Sequence, residues 1–284
     1  MGDNGNLPGV RAVEVRKRTP GSGPILILAG LFVAATFLAW YFSWFGRELS
    51  DADISKYLAD QNNPRHVQHA LLQIQQRIER GETTSKNWYP QLIALSGSPE
   101  TEFRLTVAWL MGFDNTEPQF HESLLKLVKD SEPLVRRNAA LALVRFKDSS
   151  GHEELVSVLK PYAVPAPVGG VIASSLKEGY TVSRATLLAR IEEGEKVVEV
   201  RSPLPGRIRK VLKGDGAQVA QGEEVLSLNS DENSVWEALR GLSLIGTAED
   251  VPVIKSYAES TEVSTRVRDQ AKRTLNAAKN RPGN

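Results

Sequence analysis

The four histidines, His66, His69, His121 and His152, carry the side chains whose ordinary pKa lies nearest neutrality, so they are the first places to look for acid–base or metal chemistry. His66 and His69, in the stretch RHVQH, sit three apart and would share one face of a helix. Two imidazoles without a third ligand nearby make a poor metal site. His121 and His152 each fall near the start of a predicted helix, where a solvated or capping role is expected in place of a general base. The chain has no cysteine, which removes thiol nucleophiles, Cys-based zinc sites, iron–sulfur clusters and disulfides together. The run DNTE, Asp114 to Glu117, reads as a helix–helix turn. GGV at Gly169 and PLPGR at Pro203 lack a following helix whose N-terminus would hold a phosphate. No nucleophile, base and orienting group assemble from these parts. The expectation is therefore no catalytic residue, no metal and no cofactor. What remains is the charged run EEGEK, Glu192, Glu193, Gly194, Glu195 and Lys196, which reads as a solvated turn or a surface for contact with another protein.

Charge and composition narrow the classes further. With 35 basic and 34 acidic residues the formal net charge is +1, so no overall basic field draws in nucleic acid. A hydrophobic share of 41% and a charged share of 24% are those of an ordinary globular chain able to bury a sizeable core. Residues 1–23 are rich in Gly, Pro and Asn and carry Arg11, Arg16, Lys17 and Arg18, a composition expected to stay disordered. From Pro24 to Gly46 there is no charge, and about 20 apolar residues suffice to span a hydrocarbon core of about 30 Å. Trp40, Tyr41 and Trp44 gather at one end, as in an interfacial aromatic belt. A cleaved signal peptide has a shorter apolar region and a small-residue cleavage site, so residues 24–46 are expected to be a retained transmembrane helix contacting the lipid bilayer. The basic residues before the span place the N-terminus in the cytoplasm and the remainder outside.

The rest of the chain must position any contact surface, and most of it repeats. Apolar segments of helical period begin at Val67, Phe103, Val135, Val235 and Val267, and shorter ones precede them at Ile54, Trp88, Phe120, His152 and Val251. Pro64, Pro133 and Pro99 fall where the second helix of a pair would start, a position proline tolerates. Helix pairs at this spacing form an α-solenoid, each pair burying its apolar face on its neighbours. The sequence resembles HEAT repeats, most specifically in SEPLVRRNAALALVRFKDSSGHEELVSVLK, residues 131–160, where Val135-Arg136 opens a second helix and an Asp turn follows. Equivalent positions are 36 or 32 residues apart, except that Val135 to Val235 is 100. Taking one repeat of 32 from that interval leaves 68 residues, the length of the segment 163–230. An all-β module is therefore expected inside the fourth repeat.

Within 163–230, apolar and polar residues alternate between closely spaced Gly and Pro. PVGGVIASSLKEGYTVSRATLLARI, from Pro167, aligns with PLPGRIRKVLKGDGAQVAQGEEVLSL, from Pro203. Gly170 matches Gly206, Gly179 matches Gly216, Val182 matches Val219 and Ile191 matches Leu228. Two like halves joined by a hairpin at Glu193-Gly194 resemble the biotinyl/lipoyl barrel-sandwich hybrid. That resemblance implies a modified lysine at the hairpin tip, eight residues before the proline opening the second half. Here Glu195 occupies that place, and Lys196 is one step further along a strand, where the side chain turns to the opposite face. Unmodified barrels of this kind resemble those of membrane-fusion or periplasmic adaptors, whose halves are usually split by a long helical hairpin that is missing here.

The resulting expectation is a multidomain chain: a single transmembrane helix and an all-α HEAT-like solenoid interrupted by an all-β barrel-sandwich hybrid. Its divisions are a cytoplasmic tail 1–23, the anchor 24–46, HEAT-like repeats 47–162, the barrel 163–230, resumed repeats 231–280 and a tail 281–284. The function that follows is a non-catalytic scaffold or adaptor, binding a protein partner in an envelope or transport assembly of a bacterial inner membrane, with its C-terminal domains periplasmic. Contact is expected through Glu192 to Lys196 and through Arg136, Arg137 and Arg268 on exposed helical ridges. The alternatives are a biotinyl or lipoyl carrier modified at Lys196, and a periplasmic efflux or secretion adaptor.

Overall fold

The computed structural model describes residues 23–44, 48–279 and 281; within the first helix the side chains are described over 26–39. The expected tails, 1–23 and 281–284, fall largely outside these residues. Helix α1 (Gly23–Trp44) belongs to a separate unit from the residues beginning at Ser50. Its described side chains are exposed throughout, Leu28 and Phe32 by 72% each. Among the described residues no helix is long and apolar enough to cross a membrane. The transmembrane span expected over 24–46 is therefore not supported by the described residues.

From Ser50 onward the helices come in pairs: α2 (Asp51–Ala59) with α3 (Pro64–Glu79), α4 (Tyr89–Leu95) with α5 (Thr101–Met111), α6 (Pro118–Leu127) with α7 (Pro133–Arg145). Then come α8 (His152–Val158), separated from α9 (Glu232–Ile245) by strands, and α10 (Val251–Glu259) with α11 (Thr265–Ala278). Local chemistry sets their starts. Ser50 and Ser264 accept backbone N–H bonds at the heads of α2 and α11, Asp231 accepts two at the head of α9, and Pro64, Pro118 and Pro133 occupy first-turn positions. Successive second helices pack side by side, α3 on α5, α5 on α7, α7 on α9 and α9 on α11. Their apolar faces, including Leu71, Phe103, Val107, Leu143 and Leu239, are wholly buried. Leu155, Val158 and Leu159 of the α8 region share one core with Val235, Leu239 and Leu242 of α9, so that pair closes across the intervening strands.

Those strands are β1 (Tyr162–Pro165), β2 (Gly170–Ser175), β3 (Thr181–Val182), β4 (Leu187–Glu193), β5 (Lys196–Arg201), β6 (Gly206–Val211), β7 (Gln218–Val219) and β8 (Glu224–Ser230). They form two antiparallel sheets, ordered β1-β8-β6-β3 and β5-β4-β2-β7. Exchanging β1 for β5, β8 for β4, β6 for β2 and β3 for β7 converts one order into the other. The internal sequence repeat is therefore a pseudo-twofold of the fold. Gly170 and Gly206 show why the repeat retains its glycines: a Cβ on either would lie 2.2 Å from a carbonyl oxygen of the neighbouring strand, Glu192 in one half and Asn229 in the other. Ile172 with Ile208 and Ile191 with Leu228 fill the shared core as symmetry mates.

Candidate functional site

The hairpin between β4 and β5 turns on two residues, Gly194 and Glu195, with Glu193 paired to Lys196. Gly194 has φ +62° at the first turn position, where an L side chain is disfavoured and a tight hairpin demands glycine. Glu192, Glu193, Gly194, Glu195 and Lys196 are all exposed. The pseudo-twofold equates this tip with the ends of β8 and β1, where the chain passes to α9 and from α8, so the tip lies at the opposite end of the barrel from the helices. Glu195 holds the second turn position. Lys196 opens β5 on the side of the sheet shared by Val198 and the buried Val200, beyond the end of the core. On the other side, Glu199 stands between Arg190 at 3.7 Å and Arg201 at 2.5 Å.

The arginines expected on exposed ridges have work inside the chain. Arg104, Arg136 and Arg268 each follow the apolar residue that opens a second helix. Each sends Nη1 back to carbonyls of the preceding turn: Ser98 and Pro99 for Arg104, Asp130 and Ser131 for Arg136, Ser260 for Arg268. Arg136 also donates Nε to Glu154 at 2.8 Å, tying α7 to α8. The expectation for Arg137 is corrected outright. It is 5% exposed, 3.6 Å from Glu154, with Nη2 donating to Ser230 Oγ at the end of β8. Burial lowers its pKa, while Glu154 and Asp231 oppose that shift. One step along α7 from Arg136, it is turned about 100° further round the helix, into the seam between array and barrel, while still sharing Glu154 with Arg136.

The histidines also serve the array. His66 lies 2.8 Å from Asp60 and stacks on Tyr57, with ring centroids 4.2 Å apart. Burial, then the neighbouring His66, lowers the pKa of His69. Among the described residues no group of three or more His, Cys, Asp or Glu is placed to hold a metal ion. His121 Nε2 is 2.7 Å from Asp148 Oδ2, and His152 Nε2 is 2.7 Å from Asp250 Oδ2. Tyr89 donates its hydroxyl to Asp114 Oδ2 at 2.9 Å. Tyr89, His121 and His152 occupy equivalent places in consecutive first helices, and each reaches the Asp of the turn ahead of the next pair. Burial and the bond to Asp114 push Tyr89 up to about 12. In the DNTE run, besides Asp114, Asn115 donates to the Arg145 carbonyl and Glu117 caps α6. The ladder was legible only as Tyr or His at near-repeat spacing, each followed by a turn Asp. A further contact, the ion pair of Arg184 in the β3–β4 turn with Glu102 in α5, had no signal in the sequence.

Residues 89–176 match the family model for HEAT repeats. The match begins at α4 and runs past α8 into the first two strands, under a third of the chain. The chain is also similar to the dihydrolipoyllysine-residue succinyltransferase component of the 2-oxoglutarate dehydrogenase complex of Rickettsia bellii (strain RML369-C). The identity is 46% over 56 residues, 20% of this chain and 14% of that protein. The corresponding protein of Rickettsia felis (strain ATCC VR-1525 / URRWXCal2) is 45% identical over 53 residues, 19% of this chain and 13% of its own. This chain thus spans only a small part of the curated relatives it matches. Among solved structures, a single-chain, multi-domain long-chain acyl-CoA carboxylase aligns with 41% of this chain and 12% of its own, at 18% identity and a TM-score of 0.25. That likeness is too slight to carry an argument. The HEAT repeats point to a protein-interaction scaffold, and the short relatives to a lipoyl-like domain.

Proposed function

We propose that this chain is a membrane-anchored, non-catalytic scaffold that holds protein partners on its helical array and on an unmodified lipoyl-like barrel, within an envelope or transport assembly. The observation that carries the reading is the hairpin tip, where Gly194-Glu195 makes the turn and Lys196 lies within the edge strand. A barrel that has kept its paired halves, its close-approach glycines and its core, with an acidic residue at the tip, serves as a rigid surface. HEAT repeats generally bind proteins along an extended face, which suits the same role. Anchoring is supported by the absence of charge from Pro24 to Gly46 and by the exposed apolar side chains of α1. The basic residues before that segment favour a cytoplasmic N-terminus and periplasmic array and barrel.

The resemblance to dihydrolipoyllysine-bearing proteins favours a second reading, a carrier modified at Lys196. The intact mass of the protein from its native host separates the two. The unmodified mass is expected; a biotinyl or lipoyl increment mapped to Lys196 would replace the scaffold by the carrier. An efflux or secretion adaptor is less well supported, because the two halves are joined by a two-residue turn and the short β5–β6 connection.

A further inference from the structure

The barrel has four sheet edges, and they are not alike. β3 and β7 are two residues long, and β1 is a four-residue strand that ends in Pro165 after a register shift. Short edges, proline and irregularity are the means by which sheets avoid adding a foreign strand. β5 is neither short nor interrupted by proline, and its one register shift against β4 lies at its far end, where Val200 and Arg201 pair with Ala189 and Leu187. It runs six residues, Lys196 to Arg201, pairs among the described strands with β4 alone, and leaves Val197 56% exposed.

The two-residue turn decides which backbone groups of β5 are open. Glu193 and Lys196 flank it as a hydrogen-bonded pair, and so, by alternation, do Ile191 and Val198. Val197 and Glu199 therefore turn their N–H and C=O groups toward the open edge. We propose that two copies of this chain associate through β5, antiparallel about a twofold axis at Val198, joining their β5-β4-β2-β7 sheets into one.

Charge selects that register. With Val198 opposite Val198, each Val197 faces Glu199 of the second copy in a hydrogen-bonded pair, and Glu195 faces Arg201. Sliding by two residues in one direction sets Glu199 against Glu199; sliding in the other sets Glu195 against Glu199. Like charges directly opposite destabilise a ladder and opposite charges support it. A slip of one residue puts backbone groups already bonded to β4 at the new interface, where they cannot pair. On the core-facing side, Lys196 lays its aliphatic stem along Val200 of the second copy. The contact is isologous, so it closes at two copies and does not propagate. The inference stands apart from the scaffold reading, since neither the mass of the native protein nor its other partners depends on it.

The absence of cysteine allows a direct test on the full-length chain in detergent. In a non-hydrogen-bonded antiparallel pair the Cα atoms are about 4.5 Å apart, within reach of a disulfide. Val198→Cys is expected to form an interchain disulfide at least tenfold faster than Val197→Cys, whose two copies lie beyond that reach. Mixing Val197→Cys with Glu199→Cys should crosslink the two variants to one another. This second measurement uses outward-facing positions and covers the case in which Val198→Cys fails to fold. Val197→Pro, added to Val198→Cys, should suppress the crosslink by removing an edge N–H that β4 does not use. Equal crosslinking at 197 and 198, or a monomeric mass for the unsubstituted chain together with no crosslink at any of these positions, would overturn the proposal.

Discussion

At the scale of single residues, the turns between helices hold the most chemistry, and their reasons are local. α3 ends with Gly81 at φ +73°, Gly81 N–H bonding to Ile78 and Glu82 N–H to Arg77. α7 ends with the same pair of bonds, Lys147 to Val144 and Asp148 to Leu143, but Lys147 stands where Gly81 stands, at φ +61°. A left-handed lysine costs about 1 kcal/mol relative to glycine. Lys147→Gly is therefore expected to stabilise the array by about 0.5 to 1 kcal/mol, read from the denaturation midpoint. The neighbouring carboxylates give the opposite case. Burial pushes Asp130 and Asp148 up, but bonds from Arg104 and the Glu132 N–H to Asp130, and from Ser150 and His121 to Asp148, outweigh it and hold both below the ordinary carboxylate range. A carboxyl with a lowered folded-state pKa contributes stability above its unfolded pKa, about 4, and loses that contribution as pH falls through the folded value. Chemical denaturation from pH 7 to pH 3 should show that loss. Asp130→Asn should flatten part of it and cost about 3 kcal/mol at pH 7, because Arg104 is left without its carboxylate.

At the scale of elements, α8 and α9 make a pair although the chain between them builds a separate core. Tyr162 of β1 lies beside Leu228 of β8, so the barrel takes up and returns the chain at one place. Deleting residues 163–230 with a short linker is expected to leave an array that unfolds in one cooperative transition, measured by circular dichroism on heating. Loss of that transition would make the barrel part of the array's core. Within the barrel, Ile191→Ala removes a fully buried side chain at the centre of the symmetric core and should cost about 2 to 5 kcal/mol. Period-2 and helical patterns, with Gly and Pro between, were enough to read these elements from the sequence, because burial on one face writes itself directly into residue order.

At the scale of the whole molecule, the question is what the helical array and barrel are attached to. If α1 anchors the chain, the full-length protein should stay with membranes through alkaline carbonate extraction, whereas a chain beginning at Glu48 should be released. Extraction of the full-length protein under the same conditions would leave α1 as an exposed apolar helix in need of a protein partner. The Arg184–Glu102 ion pair belongs to this scale too, because it ties the barrel turn to α5 across 82 residues of sequence.

Residue order alone determined the paired helices, the interruption between α8 and α9, the duplicated half-barrel and the glutamate at its turn. Each is a consequence of periodicity, spacing or a residue type at a counted position. Only the tertiary structure decided that Arg137 is buried while Arg136 holds a turn, that the histidines and Tyr89 bond to turn carboxylates, and that β5 is the long open edge. Those outcomes depend on which helix face meets a neighbour and which strand ends a sheet. Such facts arise between segments distant in sequence, and a repeated spacing such as that of Tyr89, His121 and His152 marks equivalent positions without naming the group each one meets.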